Sequence, residues 1–358
     1  MDKIKVIQTL YSGLGGHANV AFSLLESDFG NWFNNIVVFY GIEDTLIDYQ
    51  NKVDQLELTN YSIKKKPKQY LQALNQFYHI LEKEQPDRII IHNSELILTA
   101  IKYRNKFKKC KVIYVEHQEN HTKPFIGRFL SKYALKRADS VVCLNENYKQ
   151  ELTDKYTVKT NLKIISNGIN AEKYLPSELG NSVVTIGMAS RLVDSKEHLT
   201  LLDAFSKVLT LNPNLKLKIA GIGELEDSIK SHTKQLGISD SVIFLGLLDE
   251  DSMLNFYQTI DLYVHATVAE TLSTSILQAM SCGLPIITSN ISNNLVLIDH
   301  ETGLLYQTGN AEDLHSKIEL VIAQYPQVKK LGENAREKVV SNFSNAIMAE
   351  NYRNLLMS

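Results

Sequence analysis

Ala269-Glu270-Thr271-Leu272-Ser273-Thr274-Ser275-Ile276-Leu277-Gln278-Ala279-Met280-Ser281-Cys282-Gly283-Leu284-Pro285 reads as the exit from one strand, a helix, and the entry to a second strand. Residues 261–265 before it and 285–288 at its end are short apolar runs, and Gly283 with Pro285 closes the helix between them. A strand, a helix and a second strand in so few residues form a parallel crossover. Glu270 stands at the strand-to-helix junction, and Gln278 follows eight positions later. At about 100° per residue the two lie within a third of a turn of each other, two turns apart. Thr271 leads into the NH groups of Leu272, Ser273 and Thr274, which are expected to form the open helix N-terminus, where dipole and donors favour a pyrophosphate.

The same rhythm extends in both directions. Val- and Ile-rich runs at residues 4–9, 36–40, 88–92, 112–115 and 140–144 alternate with amphipathic stretches, and the pattern restarts at 183–188, 216–220 and 242–245. Continuous apolar blocks of this kind are parallel strands covered by helices on both faces. The fold class is α/β, with two doubly wound Rossmann-like units in tandem. The turn signal Asn167-Gly168 and the Pro176, Ser177, Gly180, Asn181 cluster place a linker at residues 166–180. The expected domains are 1–167 and 168–340, with 341–358 a terminal helix packing back on the first.

Three further strand ends carry candidate ligand contacts. Arg191 and Lys196 follow the 183–188 strand on a loop where open α/β sheets bind ligands, and two cations there suit a diphosphate. Gly221-Ile222-Gly223-Glu224 is a close-approach turn opening the next helix. The first strand runs into Gly13-Leu14-Gly15-Gly16, which reads either as backbone NH groups for a ligand or as a tight turn that packs well. Neither glycine turn has the dinucleotide fingerprint with its ribose-binding acid, so a nicotinamide dehydrogenase is not supported.

Composition sets the outer bounds. With 358 residues, 44% hydrophobic and 22% charged, the chain suits two globular domains. Cys110, Cys143 and Cys282 have neither disulfide nor zinc spacing, and no run of about 18 apolar residues occurs. Entry from Met1 straight into a strand shows no leader, so a cytoplasmic location is expected. Residues 1–168 carry 24 Lys and Arg against 18 Asp and Glu, leaving 14 against 22 for the remainder. The basic half suits an anionic surface or phosphorylated acceptor, or reflects ordinary surface variation. Within it, Phe125, Ile126, Phe129, Leu130 and Tyr133 interleave with Arg128, Lys132, Lys136 and Arg137, a pattern that fits either an anionic membrane surface or a core helix with a solvated face.

On these residues the chain resembles the retaining glycosyltransferases of the GT-B fold, in the large family numbered four. That family's signature is Glu, seven residues, Glu, then Ala-Met-Ala-x-Gly-x-Pro, matched by Glu270 to Gln278 and Ala279-Met280-Ser281-Cys282-Gly283-Leu284-Pro285. Asn167-Gly168-Ile169 with Tyr174, Arg191 with Lys196, Gly221-x-Gly223 and Gly303-Leu304-Leu305 extend the likeness. The resemblance implies two parallel-sheet domains facing across a cleft and transfer from a nucleoside diphosphate sugar, expected to be a UDP-sugar, to an acceptor hydroxyl. It implies no required metal or other cofactor. It places Glu270 on the transferred sugar, Gln278 on the ribose hydroxyls, Arg191 and Lys196 on the phosphates, and Leu247 in the base pocket. His117 falls where the family has a histidine facing the donor sugar, with His121 as competitor. The implied acceptor is a carbohydrate or lipid-linked glycan of bacterial surface assembly. That suggests a cytoplasmic protein, peripheral on the inner face of the membrane, with no nucleic-acid partner. The departures are Gln278 for glutamate, Ser273 for glycine, and Ser292-Asn293-Asn294 for a Gly-Gly pair. A nucleotide-sugar 2-epimerase of the same architecture, or a non-catalytic binding subunit, remains the alternative.

Overall fold

The computed structural model describes residues 3–13, 16–66, 69–117, 123–178 and 180–358. The chain divides into two compact units, Met1–Gly168 with Asn345–Ser358, and Ile169–Ser344. The first holds seven strands, β1 (Lys5–Tyr11), β2 (Asn34–Gly41), β3 (Thr59–Lys64), β4 (Arg88–Ile91), β5 (Lys111–Glu116), β6 (Ser140–Cys143) and β7 (Asn161–Ile164). They lie in the order β3-β2-β1-β4-β5-β6-β7, all parallel. The second holds β8 (Thr185–Ala189), β9 (Lys216–Ala220), β10 (Val242–Gly246), β11 (Leu262–His265), β12 (Ile286–Ser289) and β13 (Leu304–Tyr306), parallel in the order β10-β9-β8-β11-β12-β13.

Central strands are buried along their length because helices cover both faces, which is why they read as unbroken apolar blocks. Ile7, Val38, Phe77, Leu81, Ile89 and Val112 meet in the first core. Ile186, Met188, Leu201, Phe205, Leu217, Val264 and Ile287 meet in the second. Helices start where a side chain can take an orphan NH: Asn145 accepts from Tyr148 N, Asp249 from Ser252 N, and Asn310 from Glu312 N and Asp313 N. Each such cap contributes about 1 kcal/mol. The terminal helix Asn345–Met357 belongs to the first unit, where Arg88 Nε donates to Leu356 O at 2.8 Å.

In both sheets the order reverses beside the first strand, between β1 and β4 and between β8 and β11. The crevice outside the carboxyl ends of such a pair is where doubly wound folds bind ligands.

Candidate functional site

In the second unit the loop leaving β8 and the loop leaving β11 lie side by side at the reversal point. Val268 N donates to Ser195 O at 3.0 Å, Glu197 N to Ala266 O at 3.1 Å, and Lys196 pairs with Thr267 as an isolated antiparallel bridge. The β8 loop is stitched on its other flank too, with Ser190 N to Ala220 O at 3.0 Å, Leu192 N to Ile222 O at 3.0 Å and Leu225 N to Leu192 O at 3.1 Å. Gly221 and Gly223 make that second seam possible. A Cβ on Gly221, whose φ is +135°, would stand 1.9 Å from Ser190 O, and one on Gly223 would stand 2.2 Å from Leu192 O. The structure therefore gives Gly223 a packing task against the loop that carries the cations.

Those seams bring together side chains 74 residues apart. Lys196 Nζ lies 2.5 Å from Glu270 Oε2 and 3.2 Å from Thr267 Oγ1, and His265 Nε2 faces the same carboxylate oxygen at 3.4 Å. Burial alone would raise the Glu270 carboxyl, but the Lys196 charge and His265 hold it well below the usual carboxylate range. Arg191, on the same loop, is exposed, and its guanidinium makes no hydrogen bond or ion pair among the described residues. One cation is thus committed to Glu270, and the other is open to an arriving anion.

The helix beyond Glu270 spans Thr274–Ser281 and starts later than the sequence suggests. Ser273 is its N-cap, accepting from Ile276 N, because a serine side chain competes for the first orphan donors. Thr271, Leu272 and Ser273 form the approach to the helix, and Thr274 is its first residue. Asn293 Nδ2 donates to Glu270 O at 2.7 Å, so the residue standing near the absent Gly-Gly pair fixes the backbone instead. Gln278 is held by two tyrosines: its Nε2 donates to Tyr174 OH at 2.8 Å and its Oε1 accepts from Tyr257 OH at 3.1 Å. An amide suits that site because it supplies one donor and one acceptor. Leu247, just past β10, is half exposed.

In the first unit, Gly16 opens the helix Gly16–Leu25, while Gly15 and His121 lie outside the described residues. His117 follows β5 directly. Its predecessor Glu116 is buried, pairs with buried Lys123, and accepts from Tyr114 OH at 2.7 Å and Tyr148 OH at 3.3 Å. Desolvation lowers His117 well below its ordinary pKa, with His92, His17 and Lys123 adding to the effect. His17, His92 and His265 were not singled out in the sequence. The available signal was a histidine at or just beyond the carboxyl end of an apolar strand, which His92, His117 and His265 share.

Two parallel-sheet Rossmann-like units, with cation, carboxylate and helix N-terminus gathered at the reversal point of the second, define a protein of the GT-B class. Residues 177–338 match the family model described as Glycosyl transferases group 1, and residues 33–173 match Glycosyltransferase Family 4. The chain belongs to this family of glycosyltransferases. It is 28% identical over 255 residues to alpha-monoglucosyldiacylglycerol synthase of Streptococcus pneumoniae, covering 64% of this chain and 57% of that protein, so it spans less than two thirds of that relative's length. It is 24% identical over 296 residues to UDP-Gal:alpha-D-GlcNAc-diphosphoundecaprenol alpha-1,3-galactosyltransferase of Escherichia coli, covering 76% of each. Among solved structures, Anabaena HepE in complex with UDP and glucose superposes with a TM-score of 0.86 at 17% identity, over 99% of this chain and 100% of that one. That likeness is one of fold.

Proposed function

We propose that the protein is a retaining glycosyltransferase that moves a sugar from a nucleoside diphosphate sugar, with UDP as the nucleotide, to a hydroxyl of a carbohydrate or lipid-linked acceptor. The observation that carries this reading is the meeting of Lys196 with Glu270 at the approach to the Thr274–Ser281 helix. As the bond from the sugar to the diphosphate breaks, negative charge grows on the leaving oxygen, and Arg191, Lys196 and the helix NH groups are set to stabilise it. The departing phosphate oxygen takes the acceptor's hydroxyl proton on the face it leaves, while the acceptor oxygen bonds to the anomeric carbon. Glu270 orients the transferred sugar, Gln278 the ribose and Leu247 the base, and His117 contacts the sugar. The named activities of the Streptococcus and Escherichia relatives support a role in bacterial glycolipid or surface polysaccharide assembly.

The test is incubation with UDP-sugars, with and without lipid-linked and free glycan acceptors. Acceptor-dependent release of UDP with an unchanged anomeric configuration is expected. Epimerised donor in the absence of acceptor, or no turnover with any acceptor while UDP still raises the melting temperature, would replace this reading with one of its alternatives.

The acceptor side gives a second prediction. Among the described residues no helix is long and apolar enough to cross a membrane. The helix Phe125–Arg137 nonetheless exposes Phe125 (78%), Ile126 (69%) and Phe129 (58%), while Leu130, Ala134 and Leu135 face the core. Lys132 and Lys136, on its outward face, line a pocket of about 200 Å³ with Lys155, Tyr156 and Thr157. Three exposed apolar side chains beside lysines match an anionic bilayer surface. Vesicles containing anionic lipid are expected to float the protein, and Phe125→Ser with Phe129→Ser should abolish flotation without altering the melting temperature. Equal flotation on purely zwitterionic vesicles would remove the anionic lipid from the proposal, and no flotation on either would remove the membrane.

A further inference from the structure

At the reversal point of the first sheet, the segments leaving β1, β4 and β5 carry His17, His92 and His117. Their ring centroids are 4.9 Å apart for His92 and His117, 5.4 Å for His17 and His117, and 6.2 Å for His17 and His92. His92 Nδ1 and His117 Nε2 approach to 2.6 Å, so one nitrogen donates a proton and the other accepts it. Desolvation holds His17 down to about 4 and His92 to about 3, so these rings are uncharged at neutral pH. A neutral imidazole carries one proton, and the hydrogen bond at one nitrogen dictates the chemistry of the other.

The surroundings decide the direction of that bond. His92 Nε2 is buried, with no hydrogen-bond partner among the described residues. If His117 donated, His92 would carry its own proton on Nε2, leaving an N–H group buried and unpaired. If His92 donates, Nε2 is only a lone pair. Orphaned buried donors are the rarer and costlier defect. The third ring has its own fixed tautomer: His17 Nε2 accepts from Tyr11 N at 3.1 Å, which puts the His17 proton on Nδ1.

We propose that His92 is a positioning residue: its Nδ1–H donates to His117 Nε2 and thereby fixes the ring proton of His117 on Nδ1. His117 is then a hydrogen-bond donor on the side away from His92, suited to a sugar or phosphate oxygen and unsuited to act as a base at that nitrogen. The tautomer stands on the unit's own geometry. Its kinetic consequence rests on the reading of His117 as a substrate contact. Asparagine at position 92 keeps a donor, whereas alanine removes it.

Nitrogen-15 NMR of the histidine rings at neutral pH reads the tautomer directly. The wild-type protein and His92→Asn are expected to show His117 protonated at Nδ1, and His92→Ala is expected to show it at Nε2. In the transfer assay His92→Ala should lower kcat about tenfold, the size of effect seen when partners that orient a working histidine are lost. KM for the donor should stay within about twofold, with His92→Asn restoring kcat. A wild-type His117 protonated at Nε2 overturns the assignment, and does so from a sample that needs no variant to fold. An intact tautomer with kcat equal in wild type and His92→Ala overturns the positioning role. If no acceptor supports turnover in the wild type, the proposed function fails while the tautomer is still decided by the spectrum.

Discussion

Lys196→Ala is expected to lose turnover and stability together, whereas Arg191→Ala loses turnover alone. On the proposed function each substitution removes a cation aimed at the leaving diphosphate, a loss of about 3 kcal/mol of transition-state stabilisation, or on the order of 10²-fold in kcat. The stability difference follows from their surroundings. Arg191 is exposed and unpaired among the described residues, so the folded state loses little without it. Lys196 and Glu270 retain only 10% and 21% side-chain exposure, and removing the lysine leaves a carboxylate in poor contact with water. A fully buried pair broken on one side costs about 3–5 kcal/mol, and with the residual exposure of Glu270 a figure of about 2 is reasonable.

The pH dependence has a definite sign. The folded-state pKa of Glu270 is depressed, so the pair's contribution is complete above the usual carboxylate range and fades as pH falls through that range toward the folded value. The gap in unfolding free energy between wild type and Lys196→Ala should therefore be widest near neutral pH and narrow on acidification below about pH 4. Denaturant titrations at several pH values, with steady-state kinetics, check both halves. A gap that is constant with pH, or a Lys196→Ala enzyme with native kcat, would refute the shared role of this lysine.

What could be read from the sequence tracks how each element is buried. β1, β2, β5 and β8 are covered on both faces and show themselves as apolar runs. β3 (TNYSIK) and β7 (NLKI) are edge strands with mostly half-buried or exposed side chains, so no continuous block marks them, and neither was anticipated. At the site, Glu270, Arg191 and Lys196 stand out because each lies just past an apolar strand. Their mutual geometry does not, since the Lys196–Glu270 contact depends on β8 and β11 being neighbours, a matter of sheet order rather than local pattern. His265 was absorbed into a strand, where a buried histidine looks like any core residue. Tyr257 was likewise hidden in the helix Glu250–Gln258, and its grip on Gln278 is visible only in three dimensions. The second glycine turn is legible as a close approach to a ligand, but its close approach to the β8 loop, at Ser190 O and Leu192 O, is visible only in three dimensions.

That packing makes Gly223→Ala a more drastic change than its size suggests. The added methyl would meet Leu192 O at 2.2 Å, Leu192 C at 2.6 Å and Leu192 N at 2.8 Å, all backbone atoms of the cation-bearing loop. No side-chain rotation relieves such contacts, so the loop or the turn must move by about an ångström, at a cost of about 1–3 kcal/mol. The hydrogen bonds from Leu192 N to Ile222 O and from Leu225 N to Leu192 O lie at the same seam and would be strained with it. Arg191 and Lys196 would be displaced from the proposed diphosphate position by a similar distance, and a misplacement of that size lowers turnover about 10²-fold. Gly180→Ala serves as the control, because its Cβ would find only Ser182 O at 3.8 Å. Gly223→Ala is expected to lose both kcat and the rise in melting temperature that UDP produces, while Gly180→Ala keeps both. A Gly223→Ala protein with native kcat and an undiminished UDP response would show that the seam does not set the position of the cations, and the proposed diphosphate grip would lose its structural basis.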